Sequence, residues 1–223
     1  MIPPTVTRRP VAAVVLVAAF LVAACTGSGA TPTPAATGTP DAFGSCPTAQ
    51  PDPLPAGETR TVTIQTGLGE IAIALEADLS PIAVGNFIAL AECGYYDGVV
   101  FHRVVPGFVI QGGDGQYGKK PSLDADRVGT GGPGYRIQDE PVTATYSRGV
   151  VAMARTSAPD SVGSQFFIVL SDDARGSLQS ANTYQILGRV SAGMETADAI
   201  AAAADAEIPS DPVEMTDVSV ATP

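Results

Sequence analysis

The chain has 223 residues, 45% of them hydrophobic, a size that suits one domain with appended segments. Its formal net charge of −11 argues against binding nucleic acid or anionic membranes through a basic patch. His102 is the single histidine in the sequence, which argues against zinc sites and histidine-based catalytic triads. A packed structural role is therefore predicted for His102.

The first 25 residues have the pattern of an export signal. Arg8 and Arg9 form a basic start, and residues 11–24 are an uncharged apolar run, shorter than the about 20 residues that span a membrane. Two alanines precede Cys25, which resembles the lipobox of bacterial lipoproteins. That resemblance implies removal of residues 1–24, lipid attachment to the Cys25 sulfur, and anchoring at the outer face of the cell membrane. Ordinary secretory cleavage is the alternative, and both general secretion and twin-arginine export fit the signal.

A linker is predicted to follow the signal. Residues 26–57 are dominated by Thr, Pro, Ala, Gly and Ser and cannot bury a core, which predicts disorder. Lipidated Cys25 and the linker would then occupy residues 25–57, and a folded domain residues 58–223. Cys46 lies late in this linker and Cys93 at the end of a predicted helix. In an exported chain the two would either form a disulfide that pins the linker to the domain, or remain separate thiols.

The domain reads as a series of strands with two helices. Residues 60–66 and 70–75 alternate apolar and polar side chains, which predicts a hairpin. A helix is predicted to begin at Pro81, with Ser80 as its N-cap, and to end at Gly94. Further strands are predicted at residues 149–154, 164–170, 184–190 and 214–220, and a second helix at 193–204. Evenly spread strands of this kind predict a mainly β fold, a closed antiparallel barrel.

The stretch from residue 98 to residue 114 is apolar and β-branched, and a turn at Pro106-Gly107 divides it into two strands. Arg103 and Gln111 are among the few polar side chains in it. Since a buried arginine needs a partner, Arg103 either points into an apolar cleft to meet a ligand or lies along the surface of an edge strand.

Two blocks of the sequence resemble the cyclophilins, the peptidyl-prolyl cis–trans isomerases. The first is residues 101–114. The second comprises residues 149–155 and 163–168, which contain a Met-Ala pair and a Ser-Gln-Phe-Phe run. Two long blocks in the family's order are far more specific than one short motif. The resemblance implies a closed eight-stranded antiparallel barrel capped by two helices, prolyl isomerase activity on proline-containing polypeptides, and a reaction that needs no cofactor or metal.

The resemblance also assigns roles to individual residues. Arg103 would donate to the prolyl nitrogen as the amide twists, and Gln111 would support Arg103 and the substrate carbonyl. The socket for the proline ring would be lined by Phe108, Val109, Phe167, Leu178 and Tyr184, with Met153 beside them. The substrate backbone before the proline would contact Ala154, Arg155 and Gln165. Phe166 alternates out of phase with Phe167 and is predicted to be core.

The chain departs from the family's pattern at several of these positions. Val109 stands where Met is usual, Arg155 where eukaryotic members carry Asn, Ser177 where many carry Trp, and Tyr184 where some carry His. The Arg–Phe–Gln set is intact, so these departures bear on cyclosporin affinity more than on catalysis. Two hypotheses follow: a membrane-tethered isomerase that assists the folding of exported proteins, or a non-catalytic module or chaperone that binds proline-containing segments. The intact set favours the isomerase.

Overall fold

The structure is a computed structural model, and it describes residues 45–221. The predictions on the export signal, on Cys25 and on the linker up to residue 44 lie outside the described residues. The described range contains no helix long and apolar enough to cross a membrane. Its elements are β1 (Thr59–Thr66), β2 (Gly69–Glu76), α1 (Pro81–Glu92), β3 (Arg103–Val105), β4 (Val109–Gly112), β5 (Val150–Met153), β6 (Phe166–Val169), α2 (Arg175–Ala181), β7 (Ile186–Ala192), α3 (Met194–Ala203) and β8 (Met215–Ala221).

The strands form one antiparallel sheet in the order β3-β4-β6-β5-β7-β2-β1-β8. Strands β3 and β8 are its two edges, so the sheet is a curled half-barrel and the predicted closed barrel is wrong. Strand β3 is only three residues long. Its Val104 N–H donates to the carbonyl of Glu207, in the loop before β8, at 2.8 Å. At this edge of the sheet, the backbone N–H of Val104 is therefore paired with a loop and not with another strand.

Helices α1 and α3 lie where the sequence predicts them, but the start of α1 is capped differently. The Ser80 side chain makes no cap hydrogen bond. The carboxylate of Glu140 accepts instead from the backbone N–H groups of Ile82 and Ala83, at 2.8 and 2.9 Å. A carboxylate here also meets the positive end of the helix dipole. Because Glu140 is far away in sequence, the local pattern could not predict this cap.

Helix α2 is a third helix, where the sequence predicts only two. It has seven residues, among them a glycine and two serines, which are weak helix formers. Its buried residue is Leu178. Packing of one apolar side chain, and not helix propensity, stabilises this short helix. The sequence therefore has little apolar periodicity from which the helix could be predicted.

Two apolar clusters hold the domain together. The main core lies between the β1–β2 hairpin and α1, and it includes Val62, Ile64, Ile71, Ile73, Leu75, Val84 and Phe87. The second cluster, which includes Val109, Tyr146, Phe167, Val169, Leu178 and Ile186, lies on the other face of β6. Alternate residues of a strand point to opposite faces, so β6 sends Phe166 into the main core and Phe167 into the second cluster. The prediction that Phe166 is core is confirmed.

Residues 45–57, predicted as the end of a disordered linker, pack on the domain. Cys46 forms a disulfide with Cys93 at the end of α1. The Leu54 N–H donates to the Pro81 carbonyl at 3.0 Å. A Cβ on Gly85 would collide with backbone of this segment, so a glycine lets the segment pass close over α1. The disordered linker predicted for residues 26–57 is therefore too long at its carboxyl end.

Candidate active site

Three neighbouring strands bring Arg103, Gln111 and Phe167 together, and Phe108, the remaining member of the Arg–Phe–Gln set, lies in the turn between β3 and β4. Arg103 on β3 lies opposite Gln111 on β4, and Gln111 lies opposite Phe167 on β6. Directly opposed residues of an antiparallel sheet share a face, so the three side chains form one row across the sheet edge. Val109 lies two residues before Gln111 and falls on the same face.

This row borders a cavity of about 310 Å³. Six of the nine residues that line it are apolar or aromatic, and three of these, Val109, Phe167 and Leu178, belong to the second cluster. The lining comprises Arg103, Phe108, Val109, Gln111, Ala154, Arg155, Phe167, Leu178 and Tyr184. An apolar socket with a cation on its wall suits a small apolar ring joined to a polar backbone.

Two of the predicted site residues do not line this first cavity. Met153 is fully buried in the main core and is not among the residues that line the cavity. Its strand β5 is buried along its whole length, so its side chains pack inside the domain. Gln165 lines a neighbouring cavity of about 280 Å³ instead. The two cavities share Gln111, Ala154 and Arg155 as a common wall.

Tyr184 is fixed on the cavity wall by a residue that the sequence did not identify. Its ring packs edge-on against Phe167, with 5.3 Å between the ring centroids. The hydroxyl of Tyr146 accepts from the Tyr184 N–H at 3.0 Å and donates to the Tyr184 carbonyl at 2.9 Å. Burial raises the pKa of Tyr146 to about 12, so the hydroxyl keeps its proton and this double contact.

The glutamines link the site to the long loop that follows the first block. The Gln111 amide donates to the Gln165 side-chain oxygen at 3.0 Å. Gln165 donates in turn to the carbonyls of Gly129 and Gly131, both at 2.9 Å. Buried Asp114 accepts from the N–H groups of the same two glycines, at 2.7 and 2.9 Å. The loop is thus held from both sides, and it forms part of the second cavity.

Arg155 is held by contacts that leave it between the two cavities. Its Nη1 lies 2.8 Å from a carboxylate oxygen of Asp139, and its Nη2 donates to the Ala158 carbonyl at 2.7 Å. Its side chain is only 9% exposed. Arg136, which no sequence pattern identified, lines the second cavity as well. Each cavity is therefore lined by two guanidinium groups: Arg103 and Arg155 border the first, and Arg136 and Arg155 border the second.

His102, next to Arg103 in sequence, is 5% exposed and packed. Burial lowers the pKa of His102 to about 4, and the nearby Asp114 carboxylate acts in the opposite direction. The imidazole is therefore neutral at pH 7. Within residues 45–221, no cluster of three or more His, Cys, Asp or Glu side chains is arranged to hold a metal ion.

We expect the buried imidazole to make the fold acid-sensitive. An unfolded His titrates near pH 6.5, whereas folded His102 takes up its proton only near pH 4. Between these values the unfolded state binds more protons, so stability is complete above pH 6.5 and is lost as pH falls towards 4. This residue should account for about 2 kcal/mol lost between pH 7 and pH 5.

Urea unfolding at both pH values would measure the loss in wild-type protein and in His102→Gln. His102→Gln changes the free energy of unfolding at every pH. For each protein, the quantity to compare is therefore the difference between its free energy of unfolding at pH 7 and at pH 5. A smaller difference in the variant is expected. Equal differences in the two proteins would contradict the assignment.

The curled antiparallel sheet, with a cavity at its edge lined by Arg103 and by apolar side chains, defines a mainly β domain with a candidate ligand-binding site. The family model described as "Cyclophilin type peptidyl-prolyl cis-trans isomerase/CLD" matches residues 61–220. The chain is 39% identical over 154 residues to a probable peptidyl-prolyl cis-trans isomerase of Brucella suis, covering 68% of this chain and 76% of that one. It is 39% identical over 153 residues to peptidyl-prolyl cis-trans isomerase A of Dickeya dadantii, covering 66% of this chain and 75% of that one.

Solved structures agree with these relatives. A crystal structure of a cyclophilin type peptidyl-prolyl cis-trans isomerase of Cryptosporidium parvum has a TM-score of 0.63 at 30% identity and covers 74% of this chain and 99% of its own. A structure of the same protein in the presence of the dipeptide Ala-Pro has a TM-score of 0.61 at 32% identity and covers 73% and 99%. The chain belongs to the cyclophilin-type peptidyl-prolyl cis–trans isomerase family.

Proposed function

We propose that this isomerase acts on X-Pro bonds of exported proteins from the outer face of the cell membrane. In this proposal the proline ring occupies the first cavity, and Arg103 donates to the prolyl nitrogen. The residues before the proline lie along the wall formed by Ala154 and Arg155 and enter the second cavity. The active form is tethered through a lipid on Cys25.

The chemistry requires little from the protein. An X-Pro bond isomerises over tens to hundreds of seconds, against a barrier of about 18–20 kcal/mol that arises from lost amide resonance. Twisting the bond localises a lone pair on the prolyl nitrogen. A donor aimed at that nitrogen gains most in the twisted state, so it stabilises the transition state selectively. No nucleophile or general base takes part in this step.

The observation that carries the proposal is the presence of Arg103 on the wall of the same cavity as Phe167 and Leu178. An apolar wall holds the ring, and a guanidinium at its edge can reach the ring nitrogen. The solved relative in the presence of the dipeptide Ala-Pro supports a proline-containing peptide as the ligand of this cavity. The alternative is that Arg103 is a solvated arginine on an edge strand, without a role in ligand binding. That alternative does not account for the cavity beside Arg103.

Proline-limited refolding of a model protein tests the activity on a polypeptide. With the full chain present, we expect the slow refolding phase to accelerate in proportion to enzyme concentration, while the final yield stays the same. A slow phase that remains unchanged, although a proline peptide binds, would establish the non-catalytic binding module instead.

Two observations support export and tethering. The first is the signal-like sequence that ends at Cys25. The second is the Cys46–Cys93 disulfide, since disulfides persist in oxidising compartments outside the cytosol. Lipid attachment at Cys25 would leave these two cysteines for the disulfide.

Replacement of Cys25 by serine should release the protein from membranes. Each buried lipid CH₂ contributes about 0.8 kcal/mol, so two or more acyl chains on Cys25 anchor the protein stably, and serine cannot carry them. Metabolic labelling with a fatty acid, followed by membrane fractionation, measures both effects. Cys46→Ser serves as the control that should keep label and membrane association. Retention and labelling of Cys25→Ser would contradict the tethering proposal.

A further inference from the structure

The loop between α3 and β8 lies along the edge of the sheet that carries Arg103. The carbonyl of Glu207 in this loop accepts from the Val104 N–H at 2.8 Å. Val104 immediately follows Arg103, so the backbone of Glu207 is fixed beside the arginine. An edge strand of three residues has few partners of its own, and this contact ties it to the rest of the domain.

The loop has internal bonds that hold its shape. The Asp205 carboxylate accepts from both the N–H and the hydroxyl of Ser210, at 3.0 and 2.6 Å, which closes a ring of residues around Glu207. Further along, Asp211 pairs with Lys120 at 2.7 Å. The Asp205–Ser210 ring and the bond of the Glu207 carbonyl to Val104 therefore hold Glu207 in place, whereas the exposed Asp211–Lys120 pair lies outside the ring.

The side chain of Glu207 contacts Arg103 from this fixed position. Its Oε1 lies 2.8 Å from Nε of Arg103. The Arg103 side chain is 37% exposed, so without a partner its long stem would sample several rotamers. Because the contact uses Nε, both terminal Nη groups remain outside it. A guanidinium presents its donors in one rigid plane, so a contact at Nε also sets the direction of the Nη groups.

We propose that Glu207 is a positioning residue for Arg103. It does not touch the substrate; it holds the guanidinium in the orientation from which Nη donates to the prolyl nitrogen. This inference rests on the proposed role of Arg103. Glu207→Ala should lower the isomerisation rate of bound peptide about threefold to fivefold. This is the factor by which an exposed ion pair shifts a side chain towards one orientation. Peptide affinity should stay the same, because the proline socket is unchanged.

The test compares Glu207→Ala, Glu207→Gln and Asp211→Asn in the full chain. Asp211→Asn is the matched control, since it removes one negative charge from the same loop through a pair that does not involve Arg103. The probe is a short Ala-Pro peptide, and exchange NMR gives its isomerisation rate at saturation and its Kd. We expect the rate to fall in Glu207→Ala, to be partly restored in Glu207→Gln, which keeps a hydrogen-bond acceptor, and to be unchanged in Asp211→Asn. Equal rates in all four proteins, or equal losses in the two loop sites, would overturn the proposal.

A second measurement separates the positioning role of Glu207 from the proposed isomerase mechanism. The Nε–H resonance of Arg103 should be protected from solvent exchange in wild type and in Asp211→Asn, and lose that protection in Glu207→Ala. An unprotected resonance in wild type would overturn the positioning role whatever the rates are. A wild-type protein that binds peptide without accelerating exchange would refute the isomerase mechanism itself, and that result is visible before any variant is made.

Discussion

Replacement of Arg103 by alanine should lower the isomerisation rate by about 10²–10³-fold, the loss typical of removing one preorganised donor at a transition state. Arg103 lies on the cavity wall, so its removal takes the donor away from the prolyl nitrogen and leaves the apolar socket in place. Peptide affinity should fall much less, because the donor's main interaction forms only as the amide twists. Exchange NMR on an Ala-Pro peptide measures the rate and the affinity together.

Arg60→Ala provides the matched control for this variant. Arg60 also lies on a strand and pairs with a glutamate, Glu58, but it is on β1, far from β3 in the strand order. It should leave the isomerisation rate unchanged. An Arg103→Ala protein that is fully active would show that the assignment is wrong, even though the fold and the family are right.

Replacement of Phe166 by alanine should lower the free energy of unfolding by about 3–5 kcal/mol, the usual cost of deleting a buried phenylalanine ring. Phe166 is fully buried. Its ring packs edge-on against Phe87, Tyr96 and Phe101, with centroids 5.1, 5.8 and 6.2 Å away. Removal leaves a cavity among three large rings, which cannot easily close around it. Urea unfolding at pH 7 measures the change.

Phe108→Ala is the informative comparison. Phe108 is half-buried on the rim of the first cavity, so its removal should cost less stability and should instead weaken peptide binding. If Phe166→Ala and Phe108→Ala lower stability equally, Phe166 does not have the central packing position that the structure gives it.

Local patterns predicted those parts of the fold that depend on neighbours in sequence. The alternation in β1 and β2 places Val62, Ile64 and Ile73 in the core, as expected. Helices α1 and α3 also follow from apolar spacing and terminal glycines. In β6 the period of two separated Phe166, which packs in the main core, from Phe167, which lines the cavity. The resemblance to cyclophilins then supplied all nine residues that line the first cavity.

The features that escaped prediction depend on contacts between distant parts of the chain. Glu140 caps α1 across 58 residues, and Glu207 reaches Arg103 across 104. Tyr146 fixes the backbone of Tyr184 from a loop without periodicity. The open edge between β3 and β8 depends on where a loop lies, which strand spacing does not reveal. Met153 was placed at the site by resemblance alone, and its strand is buried on both faces.

The most direct test of prolyl isomerisation in the first cavity is exchange NMR on a short Ala-Pro peptide with the wild-type protein. Catalytic amounts of protein should produce exchange between the cis and trans resonances within a second or less, compared with tens to hundreds of seconds without the protein. The cis/trans ratio of the free peptide should stay the same, because a catalyst accelerates both directions equally. Resonances of residues lining the first cavity should shift as the peptide binds. Binding at that cavity without any exchange would contradict catalysis and leave a proline-binding module.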